Sequence, residues 1–361
     1  MYTANEILVA AIEQNCTDIF IVAGHAVNFR VHGEVIPYQP ESGPLTPKMT
    51  RQIIQEIYGM AGGGSEEAPV ARPMDVLDRT GDDDFSFSLP KRCRFRMNAY
   101  KQRGTYAAVI RVITFKLPDK ETYHIPDAVI ELGNLHKGLV LVTGPAGSGK
   151  SSTLACIIDN INLTRACNIV TLEDPIEYLH HANRSVISQR EIHSDTENYL
   201  TGLRSTLRQS PDVILLGEMR DYETIAVAMT AAETGHLLFS TLHTVGAANT
   251  INRIIDVFPP DQQRQISLQL SMVLTAVISQ QLVPTVEGGV MPAFEIMMVN
   301  PAIRNMIRSD KVFQIDSVIA SDKDTMMTMD ACLLNYYQRG IITKETALLY
   351  ATNAETLEKR L

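Results

Sequence analysis

One glycine-rich stretch contains the residue types that hold a phosphate chain. GPAGSGKS, residues 144–151, matches the pattern G-x-x-x-x-G-K-[ST] at every position. Glycines let backbone N–H groups point at phosphates, and a helix starting at the loop adds its positive dipole end. Lys150 is expected to reach the β- and γ-phosphates, and the Ser151 hydroxyl to ligate Mg²⁺. The predicted nucleotide-binding residues here are Gly144, Pro145, Ala146, Gly147, Ser148, Gly149, Lys150, Ser151 and Ser152.

Acidic residues follow two apolar runs farther along the chain. Glu218 ends the run DVILLGE and could bind Mg²⁺ through water or polarise an attacking water. TLEDPIEY supplies Glu173, Asp174 and Glu177 after another run, and a solvated turn is the alternative interpretation of that cluster. Hydrolysis needs a positioned water, so one of these acids is the candidate general base. The candidate Mg²⁺ ligands beside the nucleotide are Ser151, Asp174 and Glu218.

Two histidines flank the apolar run LLFSTL. His243 follows the run, where we expect contact with a γ-phosphate or with the catalytic carboxylates. His236 precedes the run and is also predicted to contact the nucleotide, although a hydrogen-bonded core histidine is the alternative for both residues. Neither histidine has partner ligands at the spacing of a metal site.

A parallel sheet would bring these residues together. LVLVTG, NIVTLED, DVILLGE and LLFSTLH are apolar runs separated by helical patterns. This alternation predicts an α/β domain whose parallel sheet is covered on both faces. Ligands of such sheets bind at the carboxyl ends of the strands, where the polar residues fall.

The preceding part of the chain predicts a separate α+β domain at residues 1–115. NEILVAAIEQN has helical spacing, whereas DIFIVAG, FRVHGEVIP, DFSFSLP and CRFRMNAYKQRGTYAAVIRVI predict strands. TFKLPDKETYHIPD carries prolines and mixed charge, so residues 116–137 are expected to be a linker. The domain with the parallel sheet would occupy residues 138–300, and a helical segment residues 301–361.

Composition excludes several classes of protein. With 361 residues, 45% of them hydrophobic, the chain can form two packed domains. A formal charge of −9 argues against a dedicated nucleic-acid binder. Five dispersed cysteines indicate a reducing compartment, without a disulfide framework or a zinc site. The acidic N-terminal residues do not resemble a signal peptide.

Residues 266–286 carry no charge and are long enough to span a bilayer. Hydroxyl side chains recur every fourth residue, at Ser267, Ser271, Thr275 and Ser279, and glutamines interrupt the run further. We therefore expect a buried amphipathic helix and no transmembrane segment.

PAIRNMIRSDK, residues 301–311, combines an apolar helix face with two cations. The face would contain Ala302, Ile303, Met306 and Ile307. Arg304 and Arg308 stand four apart, and like charges at that spacing cost a helix about 0.2–0.5 kcal/mol. We expect these arginines to meet acids of a neighbouring element or of a partner.

The glycine-rich loop, TLEDPIEY, GEMRDYETI and TGHLLFSTLHT occur in the order of the boxes of RecA-like secretion ATPases, which this chain resembles. RFRMNAY, SQREIHSDT, TAAETGHL, RIIDVFP and PAIRNMIRS narrow the resemblance to the PilT family, the type IV pilus retraction ATPases. The resemblance covers nearly the whole chain.

This resemblance implies a PAS-like N-terminal domain, a RecA-like ATPase domain and a homohexamer that binds ATP and Mg²⁺ at or near subunit boundaries. It implies catalytic roles for Glu218 and Glu177. N-terminal arginines would act on the phosphates, and Arg96 and Arg111 are the candidates, because a cation there neutralises developing charge.

The resemblance also implies a place in the cell. The chain would be cytoplasmic, attached peripherally to the inner face of the membrane at the pilus base, with an inner-membrane platform protein as partner. Arg304 and Arg308 would couple the motor to that apparatus.

Pilus retraction driven by ATP hydrolysis is the predicted function. An assembly or secretion ATPase is the alternative, but such relatives usually carry a longer N-terminal region and often a four-cysteine insert, which this sequence lacks. A nucleic-acid motor is disfavoured by the acidic charge and by the lack of a basic, aromatic-interleaved segment. A nucleotide sensor that does not hydrolyse would have lost the catalytic acids, which are present here.

Overall fold

The computed structural model describes residues 3–31, 33–61, 71–89, 92–113 and 117–361, and the backbone alone of residues 64–65 and 68–69. The chain divides into two compact units, Met1–Lys116 and Leu117–Leu361.

The first unit combines helices with an antiparallel sheet. Its helices are α1 (Ala4–Glu13), α2 (Pro47–Met60), α3 (Asp75–Thr80) and the 3₁₀ turn Pro40–Ser42. Its strands are β1 (Asp18–Ile21), β2 (Asn28–Val31), β3 (Glu34–Pro37), β4 (Gly64–Ser65), β5 (Ala68–Pro69), β6 (Asp82–Leu89), β7 (Cys93–Gln102) and β8 (Thr105–Ile113). Six of them form one sheet in the order β3-β2-β1-β8-β7-β6, while β4 and β5 pair separately.

Sequence alternation explains how this sheet acquires an apolar face. Along β7, Phe95 and Met97 are buried, whereas Arg94 and Arg96, which alternate with them, are half-exposed. The buried side chains share one core with the inner faces of the three helices. A capping box starts α1, since Thr3 accepts from Glu6 N at 3.3 Å and Glu6 accepts from Thr3 N at 2.9 Å. The predicted α+β architecture is confirmed.

The second unit is built on a seven-stranded sheet. Its strands are β9 (Gly138–Thr143), β10 (Asn168–Glu173), β11 (Val186–Glu191), β12 (Val213–Leu216), β13 (Leu237–Leu242), β14 (Leu274–Pro284) and β15 (Val290–Met298). Their order is β11-β10-β12-β13-β9-β14-β15. All neighbours are parallel except β15, which is antiparallel to β14. The four predicted strands are β9, β10, β12 and β13, so the predicted parallel sheet is confirmed.

Helices cover both faces of this sheet. They are α4 (Asp127–Ile130), α5 (Lys150–Thr164), α6 (Tyr199–Thr206), α7 (Tyr222–Glu233), α8 (Ala247–Asp256), α9 (Pro260–Val273), α10 (Pro301–Arg308), α11 (Ile315–Ser321), α12 (Met329–Gln338), α13 (Lys344–Tyr350) and α14 (Ala354–Glu358), with 3₁₀ turns at Glu131–Asn134 and Val312–Gln314. On β9, Leu139 and Leu141 enter one core, and Val140 and Val142 enter another. Both faces are therefore buried, as the apolar runs predict.

The uncharged run at residues 266–286 is not one helix, so that prediction is wrong. Helix α9 ends at Val273, and the following residues form β14, which pairs with β9 and β15. A central strand is buried on both faces, so its sequence lacks charge just as a buried helix does.

In the described part of the chain, no helix combines the length and apolar character that crossing a bilayer requires.

The segment expected to be a linker packs into the second unit. Ile125, Val129 and Leu132 are buried in the same core as residues of β9 and α5. At the other end of the chain, α12–α14 pack on the outer strands, where Val283 and Ala293 join their core.

Candidate nucleotide site

The glycine-rich loop joins β9 to α5 and is shaped by β14. Gly144, Gly147 and Gly149 have φ values of 142°, 76° and 88°, where glycine is favoured. A Cβ on Gly144 would lie 2.1 Å from the Gln280 carbonyl oxygen, so a larger residue would displace backbone. Thr153 Oγ1 also donates to Gln280 Oε1 at 2.7 Å. Gln280 therefore contacts both the loop and the first turn of α5.

Backbone donors of the loop are available to an anion. Among the described residues, no oxygen accepts a hydrogen bond from the N–H groups of Ala146, Gly147 or Gly149. Helix α5 begins immediately afterwards and adds its N-terminal dipole. The loop can thus present several donors to a phosphate chain.

Lys150 is almost buried, with 8% of its surface exposed. Its Nζ donates to the carbonyl oxygens of Gly144 and Pro145, each at 2.9 Å. Burial lowers the pKa of Lys150, and the carboxylates of Glu177 and Glu218 oppose that shift. The ammonium group therefore lies near the loop and near two acids.

Glu218 and His243 meet at one edge of the sheet. They follow the neighbouring parallel strands β12 and β13, in which Leu216 lies opposite Ser240. His243 Nε2 is 3.7 Å from Glu218 Oε2, and Arg220 forms an ion pair with the same carboxylate. The Glu218 side chain is 14% exposed, so this carboxylate is largely enclosed.

The acidic loop after β10 holds glutamates in two different environments. Glu173 Oε1 accepts from Thr171 Oγ1 at 2.6 Å and from Gln189 Nε2 at 3.2 Å. Burial raises the pKa of Glu173 to about 7. Glu177 is exposed, and no described residue hydrogen-bonds or ion-pairs with its side chain. Asp174 lies between them in the chain and is half-buried.

One cavity of about 300 Å³ collects most of the predicted residues. Those that line it are Ala146, Gly147, Lys150, Ser151, Glu173, Asp174, Glu177, Glu218 and His243. An adjoining cavity shares Lys150 and Ser151 and is also lined by Ser148, Gly149 and Ser152. The carboxyl edge of the sheet thus brings together a cation, carboxylates and a histidine around the loop.

His236 does not belong to this group, and its predicted nucleotide contact needs correction. It precedes β13 and so lies at the amino edge of the parallel sheet, opposite His243. Its Nδ1 lies 2.9 Å from the Ala231 carbonyl oxygen, at the end of α7. His236 is therefore hydrogen-bonded within the protein, as in the alternative interpretation of a structural histidine.

Arg96 and Arg111 lie opposite each other on β7 and β8 in the first unit. Arg96 forms two hydrogen bonds with Asp84, at 3.1 and 2.8 Å. Arg111 Nε lies 3.2 Å from Asp18 Oδ1, with its side chain 67% exposed. Each candidate thus has a carboxylate partner within its own unit.

Arg304 caps a helix rather than meeting an acid. Its Nη1 donates to the carbonyl oxygens of Ser271 at 3.3 Å and Met272 at 2.9 Å, in the last turn of α9. Arg308 is exposed, and the described residues bring no acid to either arginine. The expectation that acids of a neighbouring element in this chain meet the two arginines is therefore wrong for the described residues. Of the predicted apolar face, Ile303 and Ile307 are buried, Met306 is half-buried and Ala302 is exposed.

Several residues of the site were not predicted. Tyr199 lines the cavity, and burial together with Glu218 and Asp174 raises its pKa. Tyr178 shares a 2.8 Å hydrogen bond with Ser152. Arg220 could have been noticed, since it stands two residues after Glu218. Tyr199 carries no such signal, because it reaches the cavity from the start of α6.

Comparisons with known proteins agree with this architecture. The family model for type II/IV secretion system proteins matches residues 2–290. The type IV pilus retraction ATPase PilT of Pseudomonas aeruginosa is 41% identical over 343 residues, covering 95% of this chain and 96% of that protein. A twitching motility protein of Neisseria gonorrhoeae is 48% identical over 276 residues, covering 76% and 74% of the two chains.

A solved structure gives the same result for the fold. The crystal structure of the pilus retraction motor PilT with bound ADP has a TM-score of 0.89 and 40% identity, covering 99% of this chain and 100% of that one. Type II secretion and pilus assembly relatives are matched over smaller shares of their own length. The predicted fold, an N-terminal domain followed by a RecA-like domain, is confirmed, and the chain belongs to the type II/IV secretion ATPase family.

Proposed function

We propose that the chain hydrolyses ATP at the cavity beside the glycine-rich loop. The observation that carries this proposal is the convergence of Lys150, Glu177, Glu218 and His243 on one cavity. Phosphoryl transfer to water needs positioning and charge rather than covalent chemistry. The loop donors and Lys150 would bind the phosphates, while an enclosed carboxylate orients the attacking water.

The residues present fit a Mg²⁺ ion held mainly by the nucleotide. Across the described residues, no three histidine, cysteine, aspartate or glutamate side chains form a metal site by themselves. Mg²⁺ in nucleotide sites uses one or two protein oxygens, phosphate oxygens and water. Ser151, Asp174 and Glu218 line the cavity and supply hydroxyl and carboxylate oxygens of that kind. Bound Mg²⁺ would neutralise charge on the phosphates.

Replacing Lys150 tests the nucleotide site. Lys150→Ala should abolish ATP turnover because the loop loses its cation. Lys137→Ala, which removes an exposed lysine of the same unit, is the matched control and should keep normal turnover. Phosphate release by the purified proteins is the measurement. Full turnover in Lys150→Ala would overturn the assignment.

We further propose that hydrolysis drives type IV pilus retraction. Support comes from two relatives whose names refer to pilus retraction and twitching motility. The motif PAIRNMIRS, which resembles that of the retraction enzymes, forms α10 on the second unit. In this proposal a homohexamer works in the cytoplasm at the inner face of the membrane, against an inner-membrane platform protein.

Deleting the gene separates retraction from assembly. Loss of a retraction motor should leave abundant pili on cells that no longer twitch, because extension continues alone. Restoring the wild-type gene should recover twitching, whereas restoring Lys150→Ala should not. Cells that lose their pili would instead show an assembly ATPase.

A further inference from the structure

Two side chains of the edge strand β11 hold the acidic loop. Gln189 Oε1 accepts from the His180 N–H at 2.8 Å, and Gln189 Nε2 donates to the Tyr178 carbonyl oxygen at 2.8 Å. The same Nε2 lies 3.2 Å from Glu173 Oε1. One amide group thus ties three points of the loop to the sheet.

Glu191, two residues farther along β11, holds the loop on the other side of Glu177. Its Oε2 accepts from the Ile176 N–H at 3.0 Å, and the residue is 3% exposed. Its own backbone N–H donates to Asp195 Oδ2 at 2.8 Å, which fixes the end of the strand. Because residues i and i+2 of a strand point to the same side, both side chains of β11 reach one loop.

These contacts fix the backbone around Glu177 and leave its side chain free. The Glu177 N–H faces the Glu173 carboxylate and slightly opposes the rise in its pKa. The next residue, Tyr178, is tied through its hydroxyl to Ser152 at 2.8 Å. The Glu177 side chain has no hydrogen-bond or ion-pair partner among the described residues and lines the cavity. Its position is therefore set by its neighbours' backbone.

We infer that Gln189 and Glu191 are positioning residues for the Glu177 carboxylate during ATP hydrolysis. The inference rests on the proposed function, since Glu177 matters only if this cavity hydrolyses ATP. A displacement of about 1 Å at a reacting group can cost roughly 10²-fold in rate. Neither residue belongs to the loop that binds phosphates, so nucleotide affinity should be preserved.

Replacing Gln189 with leucine should lower kcat by about 10- to 100-fold and leave the dissociation constant for ATP unchanged. Ser188→Ala, an exposed neighbour on the same strand, is the matched control and should keep wild-type kcat. Steady-state phosphate release gives kcat, and a fluorescent ATP analogue gives affinity. Weakened nucleotide binding with unchanged kcat in Gln189→Leu would overturn the inference.

A double variant shows whether Gln189 acts through Glu177. Glu177→Gln alone should lose turnover, and adding Gln189→Leu should cause no further loss, because the positioned group is already absent. Additive losses would overturn the inference by assigning Gln189 a general structural role. If Glu177→Gln keeps full turnover, the inference about Gln189 fails, whereas the nucleotide-site proposal still stands as long as Lys150→Ala has lost turnover.

Glu191 provides a rescue test that is independent of Gln189. Glu191→Gln keeps an oxygen that can accept from Ile176 N–H, whereas Glu191→Leu does not. Glu191→Gln should therefore retain clearly more turnover than Glu191→Leu. Equal kcat in the two folded variants would contradict the positioning role of Glu191.

Discussion

Glu173, Glu177 and Glu218 are one residue type in three environments around one cavity. Glu173 is enclosed and hydrogen-bonded, and burial raises its pKa to about 7. Glu177 is exposed, whereas Glu218 lies beside His243 and Arg220. At the residue scale, surroundings rather than residue type therefore determine which carboxylate can serve as a base.

Glu218→Gln should keep ATP binding and lose hydrolysis. The amide preserves the shape of the side chain but cannot orient or deprotonate a water as a carboxylate does, so kcat should fall by about 10²–10⁴-fold. Single-turnover hydrolysis and ATP affinity are the two measurements. Unchanged hydrolysis in this variant would show that Glu218 is not needed and would leave Glu177 as the essential acid.

His180 should make stability depend on pH. Its Nδ1 is buried in the described structure without a hydrogen-bond partner, and burial, aided by His181, lowers its pKa to about 4. Between about pH 6.5 and pH 4 the unfolded chain binds a proton that the folded chain refuses, so stability falls with falling pH. Between pH 7.5 and pH 4.5, His180→Phe should remove about 2.5 kcal/mol of that loss.

The measurement is denaturant unfolding of wild type and variant at pH 7.5 and at pH 4.5. His136→Phe, at an exposed histidine, is the control and should leave the pH dependence unchanged. Equal pH dependence in wild type and His180→Phe would contradict the prediction.

The residue types of the site could be predicted largely from local pattern. The shape of the phosphate-binding loop fixes the spacing of its motif, so the motif alone predicts the positions of Lys150 and Ser151. Gln280 could not be predicted as a loop neighbour, because it lies 130 positions after Lys150 and reaches the loop only through strand order. His236 was misplaced although it precedes its strand, because ligands of a parallel sheet bind at the carboxyl ends of the strands and His236 lies at the other edge.

At the scale of elements, α9, β14 and α10 are directly connected to one another. Helix α9 leads directly into β14, and Arg304 of α10 donates to the last carbonyl groups of α9. The uncharged run of residues 266–286 conceals the change from helix to strand, since burial on both faces removes the periodicity that distinguishes them.

Arg304 and Arg308 should behave differently when each is replaced by alanine. Arg304→Ala removes charged donors from a helix end and should lower the free energy of unfolding by about 1–2 kcal/mol. Arg308→Ala, the matched control on the same helix, should change it by less than about 0.5 kcal/mol. Denaturant unfolding at pH 7 measures both values, and equal losses would contradict the capping role.

At the scale of the whole molecule, the acidic charge balance argues against a general affinity for nucleic acids. The formal charge of −9 gives no general attraction for a polyanion. The division into two units and the type of sheet could be predicted from the hydrophobic pattern. Strands of the first unit alternate apolar and polar residues, whereas from Leu139 onward the strands are continuous apolar runs. The packing of residues 117–137 into the second unit could not be predicted, because prolines and mixed charge in a sequence are typical of a linker.

Single-stranded DNA should neither bind the protein nor stimulate its ATPase activity at about 50 mM salt. Phosphate contacts dominate such binding, and they weaken steeply as salt rises. Fluorescence anisotropy of a labelled oligonucleotide and phosphate release are the measurements. Binding that disappears between about 50 and 200 mM salt would instead show a genuine polyanion surface.

Strand β14 gives a further meaning to the cap on α9. Residues 274–280 span roughly 20 Å from the end of that helix to Gln280, which touches the phosphate loop. A buried strand hydrogen-bonded on both sides stretches little, so a pull on α10 would be transmitted along it as tension. By thermodynamic reciprocity, if a partner bound at α10 changed nucleotide affinity by some factor, nucleotide would change the affinity for that partner by the same factor.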